Sequence, residues 1–314
     1  MNKFVKSLCG ATAALLLAGT AQAADPESCK LVRFSDVGWT DITATTAVTT
    51  GVLQALGYET DIKILSVPVT YTSLKNKDID VFLGNWMPTM EADIKPYRED
   101  GSVETITENL TGAKYTLAVP KYTYDKGLTS FDKIAEFKES LDGEIYGIEA
   151  GNDGNRLIIG MIDQDIFGLK GFEVVESSEQ GMLAQVARKT KRDEDIVFLG
   201  WAPHPMNSNF ELEYLAGGDE IFGPNFGGAN VFTNVRAGYT EECPNVGKLL
   251  KNMKFTLDME NEIMGAILND SEEPDDAAKA WVKEHTDVFE LWLNEVTTVD
   301  GGNAVEAVRK FYDF

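Results

Sequence analysis

The chain has 314 residues, with 51 Asp and Glu against 28 Lys and Arg, a formal charge of −23. That length exceeds one ordinary hydrophobic core and suits two α/β lobes. So acidic a surface argues against nucleic acid and against anionic membranes as partners.

Residues 1–23 stand apart from the lobes. Lys3 and Lys6 precede an apolar run through Leu17, and Ala21-Gln22-Ala23 is a small-residue cleavage site. This is the pattern of a secretory signal. The alternative, a retained membrane anchor, meets a run shorter than the ~20 residues a spanning helix needs. Cleavage after Ala23 would remove two lysines and one of three cysteines, Cys9. Cys29 and Cys243 remain, and in an exported protein they most simply pair; two buried free thiols are the alternative. Pairing would tie the first strand to a segment far downstream, so the chain must leave the first lobe and return to it.

From Lys30 to Phe34 a short strand leads into Ser35-Asp36-Val37-Gly38-Trp39-Thr40-Asp41. Small and β-branched residues then open a helix that runs to Leu56 and stops at Gly57. Trp39 and Asp41 thus fall at a strand-to-helix turn, although Asp41 would also serve as an N-cap. Thr60–Val67 reads as a strand, Val69–Lys75 as a helix, and Asp80–Gly84 as a strand that delivers Trp86. A helix over Met90–Tyr97 follows, then extended chain from Ser102 to Glu108. Asn109-Leu110-Thr111-Gly112 reads as a polar turn and the first crossing between lobes.

Lys114–Val119 alternates like a strand, with Tyr115 at its start, near the crossing. Tyrosine is common in strands for packing reasons alone. After a short helix over Phe131–Phe137, the strand Glu144–Glu149 runs into Ala150-Gly151-Asn152-Asp153-Gly154-Asn155-Arg156, which opens a helix to Ile162. That turn lacks both the Lys-Ser/Thr of a P-loop and the dinucleotide spacing. It is read as presenting Asn152 or Asp153 to a small ligand. Phe172–Val175, Glu179–Lys189 and Ile196–Leu199 form a strand, a helix and the strand that delivers Trp201. Glu213–Leu215 reads as the return strand and Ala229–Arg236 as the strand leading to Cys243. The rest is helical, and Trp281 and Trp292 there read as packing residues.

The chain says nearly the same thing twice. Val81-Phe82-Leu83-Gly84-Asn85-Trp86-Met87-Pro88 is echoed by Val197-Phe198-Leu199-Gly200-Trp201-Ala202-Pro203, and the spans Gly57–Trp86 and Gly171–Trp201 differ by one residue. Each apolar run reads as a buried parallel strand stopped by Gly and Pro, with a Trp just past its carboxyl end. That edge is where open α/β sheets bind ligands, so two lobes would meet at a cleft with aromatic walls.

No catalytic constellation accompanies the cleft. His204 and His285 are the only histidines, and metal-spaced His pairs, C-x-x-C and a G-x-S-x-G elbow are all missing. His204, between Pro203 and Pro205, reads as a loop buttress. Glycoside hydrolysis by two of the 51 carboxylates is the enzymatic alternative. Binding fits the residues better. Ring faces of Trp39, Trp86, Trp201 and Tyr115 suit a quaternary ammonium group, each desolvated contact contributing roughly 0.5–2 kcal/mol. Sugar stacking is the competing ligand chemistry, but few hydrogen-bonding side chains besides Asp41, Asn85 and Asn152 lie near these rings.

Gly38-Trp39-Thr40-Asp41, Gly84-Asn85-Trp86-Met87-Pro88 and Gly200-Trp201-Ala202-Pro203 resemble the glycine betaine/choline-binding family, the substrate-binding proteins of ABC importers for quaternary amines. The likeness covers essentially the whole mature chain. It implies an α/β type II periplasmic binding protein: two lobes, each a mixed, mostly parallel sheet flanked by helices, joined by a two-strand hinge. It implies a cage of Trp39, Trp86, Tyr115 and Trp201, with Asp41 facing the ammonium and the choline hydroxyl and Asn152 bonding that hydroxyl. An ionised Asp41 would repel a betaine carboxylate, so choline is expected first, acetylcholine second and betaines third. His204 or the Gly151 turn could supply donors to a betaine. The expected protein is a periplasmic monomer that needs no cofactor, performs no reaction and serves a membrane permease. Its lobes are expected at 24–111 with 216–314, and at 112–215, after a signal at 1–23.

Overall fold

The computed structural model describes residues 25–314 of the chain; the signal expected at 1–23 and its expected cleavage site lie outside them. The described residues build a nine-stranded sheet from β1 (Leu31–Asp36), β2 (Glu59–Ile64), β3 (Val81–Met87), β4 (Val103–Pro120), β5 (Glu144–Tyr146), β6 (Glu173–Val175), β7 (Phe198–Ala202), β8 (Leu212–Tyr214) and β9 (Gly228–Arg236). The order is β2-β1-β3-β9-β4-β7-β5-β6, with β8 on the side of β4.

The internal echo of the sequence is a repeat of topology. In one lobe β1 is flanked in parallel by β2 and β3; in the other β5 is flanked in parallel by β6 and β7. Each unit has the same two crossover helices, Thr40–Ala55 and Val67–Asn76 in the first, Asp153–Asp163 and Glu179–Thr190 in the second. Parallel strands need such crossovers, and helices on both faces explain why the cores of β3 and β7 read as unbroken apolar runs. β4 and β9 pair antiparallel with each other along most of their length. They form the two-strand hinge: β9 pairs with β3 of the first lobe, and β4 with β7 of the second.

The motif glycines do not stop these strands. Gly84 and Gly200 lie inside β3 and β7, and the strands run on through Trp86 and Trp201. A side chain at Gly84 would meet Ile42 at 2.7 Å, and one at Gly200 would meet the Ala118 Cβ at 2.9 Å. They are close-approach positions. Pro88 and Pro203 do end the strands, both through cis peptide bonds.

Asn109–Gly112 is not a turn either. It continues β4, with shifts of register on either side of Leu110. The buried Asn109 amide donates to the Leu83 carbonyl at 2.8 Å and to Thr233 Oγ1 at 3.0 Å, while its Oδ1 has no partner. β8 is not a return strand: it pairs with β4 at Ala118–Pro120 inside the second lobe. The short helix over Phe131–Phe137 is of 3-10 type.

Helix Thr40–Ala55 is buried on nearly every face. Its small Thr and Ala side chains let the C-terminal helices Leu257–Leu268, Pro274–Glu284 and Ala304–Tyr312 pack against it. Threonine hydroxyls that would otherwise be orphaned in this core bond back to the preceding turn, Thr49 to the Thr45 carbonyl at 2.7 Å and Thr50 to the Thr46 carbonyl at 2.8 Å. Trp292 is buried beneath the tail, and Trp281 stacks on His285. Cys29 and Cys243 are joined by a disulfide with their Cα atoms 5.6 Å apart, tying β1 to the segment after β9.

Candidate functional site

Between the lobes lies a small cavity lined by Trp39, Asp41, Trp86, Tyr115, Ile148, Asn152, Asp153 and Trp201. The six side chains singled out from sequence therefore converge, and Ile148 and Asp153 join them. Of those six, none is more than 6% exposed, so the cleft is shut.

Each wall is set by its strand end. Gly38, at φ +80°, makes the turn after β1 and donates its N–H to Asp36 Oδ1 at 2.7 Å. Only a residue without Cβ takes that conformation cheaply, and it delivers Trp39 to the cleft. Trp86 and Trp201 come from the ends of β3 and β7, and Tyr115 from β4 directly opposite Trp201. The Tyr115 ring stands edge-on to both, with centroids 6.1 Å from Trp86 and 6.3 Å from Trp201. Rings so crossed present faces in different directions around one space.

The polar groups are few and mostly committed. Asp41 Oδ2 accepts from Trp86 Nε1 at 3.1 Å, while Oδ1 is buried with no partner. Burial, and then the charge of Glu179, push the Asp41 carboxyl up to about 8. Asp153 also has a buried oxygen, Oδ2, with no partner, and burial raises its carboxyl to about 6. Asn152 Oδ1 accepts from Tyr115 Oη at 2.8 Å and caps helix Asp153–Asp163 through the N–H groups of Gly154 and Asn155. Gly154 must be glycine, because a Cβ there would collide with the Tyr115 hydroxyl. Among the described residues no basic side chain lines the cavity, and none cluster as metal ligands.

A second layer crosses the cleft. Trp39 Nε1 donates to Glu149 Oε1 at 2.9 Å, and burial raises the Glu149 carboxyl to about 7. Thr40 bonds the buried Glu179. Arg156 pairs with Asp93 and donates to the Thr89 carbonyl. His204 faces away from the cavity: its Nδ1 accepts from the Met206 N–H at 2.9 Å, so Nε2 carries the proton given to Glu179 at 3.1 Å. Its ring sits edge-on to Trp201, 4.9 Å away, which braces the indole. Asn85 is turned from the site as well, accepting from Tyr71 Oη at 3.0 Å.

Sequence reasoning missed Glu149, Glu179 and Ile148. Asp153 had a signal, its place beside Asn152 in a Gly-rich turn, but the alternatives there were not separable without geometry. Glu149 and Glu179 had none, because their partners lie 110 and 139 residues away.

The family described as the substrate binding domain of ABC-type glycine betaine transport systems matches residues 30–284. Among solved structures, an ABC-transporter choline binding protein in complex with choline is 69% identical, with a TM-score of 0.91 over 92% of this chain and all of that one. An ABC-transporter choline binding protein in an unliganded semi-closed conformation is 68% identical over the same shares, with a TM-score of 0.85. The higher score against the choline complex accords with the shut cleft. The glycine betaine/carnitine transport binding protein of Listeria monocytogenes is 29% identical across 55% of this chain and 57% of its own length.

Proposed function

As the chain belongs to the family of substrate binding domains of ABC-type glycine betaine transport systems, whose role is transport and not catalysis, we propose that it is a receptor for choline. The observation that carries this reading is the make-up of the cavity wall: four aromatic rings, two carboxylate oxygens without partners and no basic side chain.

A quaternary ammonium group has no N–H to give, so ring faces and a buried negative charge are what can hold it. The unpartnered oxygen of Asp41 supplies the charge and accepts the choline hydroxyl, which also reaches Asn152. A buried carboxylate without a partner is costly, and a cation relieves that cost. Acetylcholine, bulkier and lacking the hydroxyl, ranks second.

A betaine would bring a carboxylate into the same space. His204 no longer serves that reading, since both ring nitrogens are committed and the ring lies outside the wall. The indole N–H groups of Trp39 and Trp86 are likewise given to Glu149 and Asp41. Betaines therefore rank below choline.

In this reading the receptor is exported to the periplasm, works as a monomer, closes on its ligand and hands it to a membrane permease. No helix among the described residues is long and apolar enough to cross a membrane. The first lobe runs from residue 24 into β4. We place the return crossing in β9 rather than at residue 216, because Ala216 bridges Ser130 and Phe222 packs on Phe131 and Tyr115.

Calorimetric titration of protein refolded free of carried-over ligand tests the reading. Choline should bind at least about tenfold more tightly than glycine betaine, a difference of ~1.4 kcal/mol. The reverse order would remove the selective role of Asp41, and binding of neither would remove the choline assignment.

A further inference from the structure

We propose that Glu179 is a positioning residue for the ligand wall of the opposite lobe: it supplies, from across the cleft, the missing N-cap of the helix that carries Asp41. The geometry stands by itself, while the assay rests on the choline reading above.

Helix Thr40–Ala55 begins after Trp39, which offers no side-chain cap. The first N–H groups of a helix have no partner within it and need one when buried. Here the Thr40 N–H donates to Glu179 Oε2 at 2.8 Å and the Thr40 hydroxyl to Glu179 Oε1 at 2.5 Å. The equivalent helix of the other lobe shows what is missing, for Asn152 caps it from its own chain. One unit of the repeat is self-sufficient at this point and the other is finished only when the lobes meet.

Glu179 is itself only 1% exposed, and a carboxylate that deep needs donors on both oxygens. Its third donor is His204 Nε2, whose tautomer is fixed by the Met206 N–H on Nδ1. Opening the cleft withdraws both Thr40 donors at once and returns Glu179 to water. Thr40 stands between Trp39 and Asp41, so the bonds that hold its backbone fix two lining residues together. Glu179 does not line the cavity, which separates its role from ligand contact.

The test is Glu179→Gln and Thr40→Ala, singly and combined, titrated with choline. An amide places a donor where one of the three bonds needs an acceptor. Glu179→Gln should weaken choline by about 10- to 100-fold, the size expected for lost bonds to a charged group. The choline-to-acetylcholine ratio should stay at its wild-type value, and so should the thermal midpoint of the ligand-free protein. The double variant should lose less than the sum of the singles, because both remove one contact. Unchanged choline affinity, a shifted ratio, or additive losses with a lowered ligand-free midpoint would each overturn the assignment. If Glu179→Gln does not fold, Thr40→Ala carries the same comparison from the other side. Wild type that ignores choline overturns the receptor reading alone, and the variants are then read with glycine betaine; wild type that binds neither overturns both.

Discussion

Trp39 and Trp86 stand on the same lobe and line the same cavity, yet their indole N–H groups are held in opposite ways. Trp86 donates to Asp41, 45 residues away in its own lobe, and Trp39 donates to Glu149 across the cleft. The first pair can be in place before the lobes meet. The second exists only once they have. Under the choline reading proposed above, the difference would separate two jobs of a closing receptor: Trp86 and Asp41 as a partial site that meets the ligand, and Trp39 with Glu149 as a contact made only on closure.

The strongest way to break this contrast is Trp86→Ala. It removes a ring face and strips Asp41 of its only side-chain donor, so choline affinity should fall by about 100-fold or more, the combined size of one desolvated cation–π contact and one charged hydrogen bond. Calorimetry reads the loss, and a modest one would mean that the remaining rings suffice. Trp39→Phe sharpens the contrast, since it keeps an aromatic face, if a smaller one, and deletes the bond to Glu149. Here a loss of about tenfold is expected, carried by faster dissociation in stopped-flow fluorescence rather than slower association. Equal changes in both rates would place Trp39 in the encounter instead.

The smallest effect comes from pH. Burial holds Asp41 up at about 8, Glu149 at about 7 and Asp153 at about 6, so each keeps protons in the empty shut cleft that an exposed carboxyl would have released. Those raised values favour the shut, empty form in full only below the ordinary carboxyl range at about 4, and that contribution is lost progressively from there up to about 8. A cation in the cleft favours the ionised forms, so choline entering the shut form releases protons and binds more tightly as pH rises towards about 8, by at most about one decade per unit for each group. Titration in two buffers of different ionisation enthalpy measures the released protons. Affinity that falls with rising pH would contradict the sign.

Much of this was legible in the chain because it is local. The doubled apolar run ending in Gly, Trp and Pro announced two like units, and it marked both indoles at a ligand edge. Gly84 and Gly200 were misread as strand ends because a glycine imposed by a neighbour's closeness looks the same in sequence as one imposed by a bend. Asn109–Gly112 was misread for a related reason: the composition is that of a turn, and only the Leu83 carbonyl and Thr233, brought by other strands, accept the amide N–H groups of Asn109 inside a sheet. The carboxylates of the second layer were invisible, since acidic residues are everywhere in this chain and nothing near Glu149 or Glu179 says which indole or which helix they will reach.

Tyr115 occupies the residue after Lys114, the point at which β4 gives up β9 and takes β7 as its neighbour. That puts Tyr115 beside the two hinge strands; Trp86 is also close to them, paired with Val231 of β9, while Trp39 follows β1, one strand further out. A ring so placed travels little during closure and acts as a fixed stop. A ligand thickened against Tyr115 is expected to act as a wedge near the hinge, holding the lobes further apart at the far lip than at the ring. Under the choline reading, ligand girth would then be felt by leverage as well as by contact.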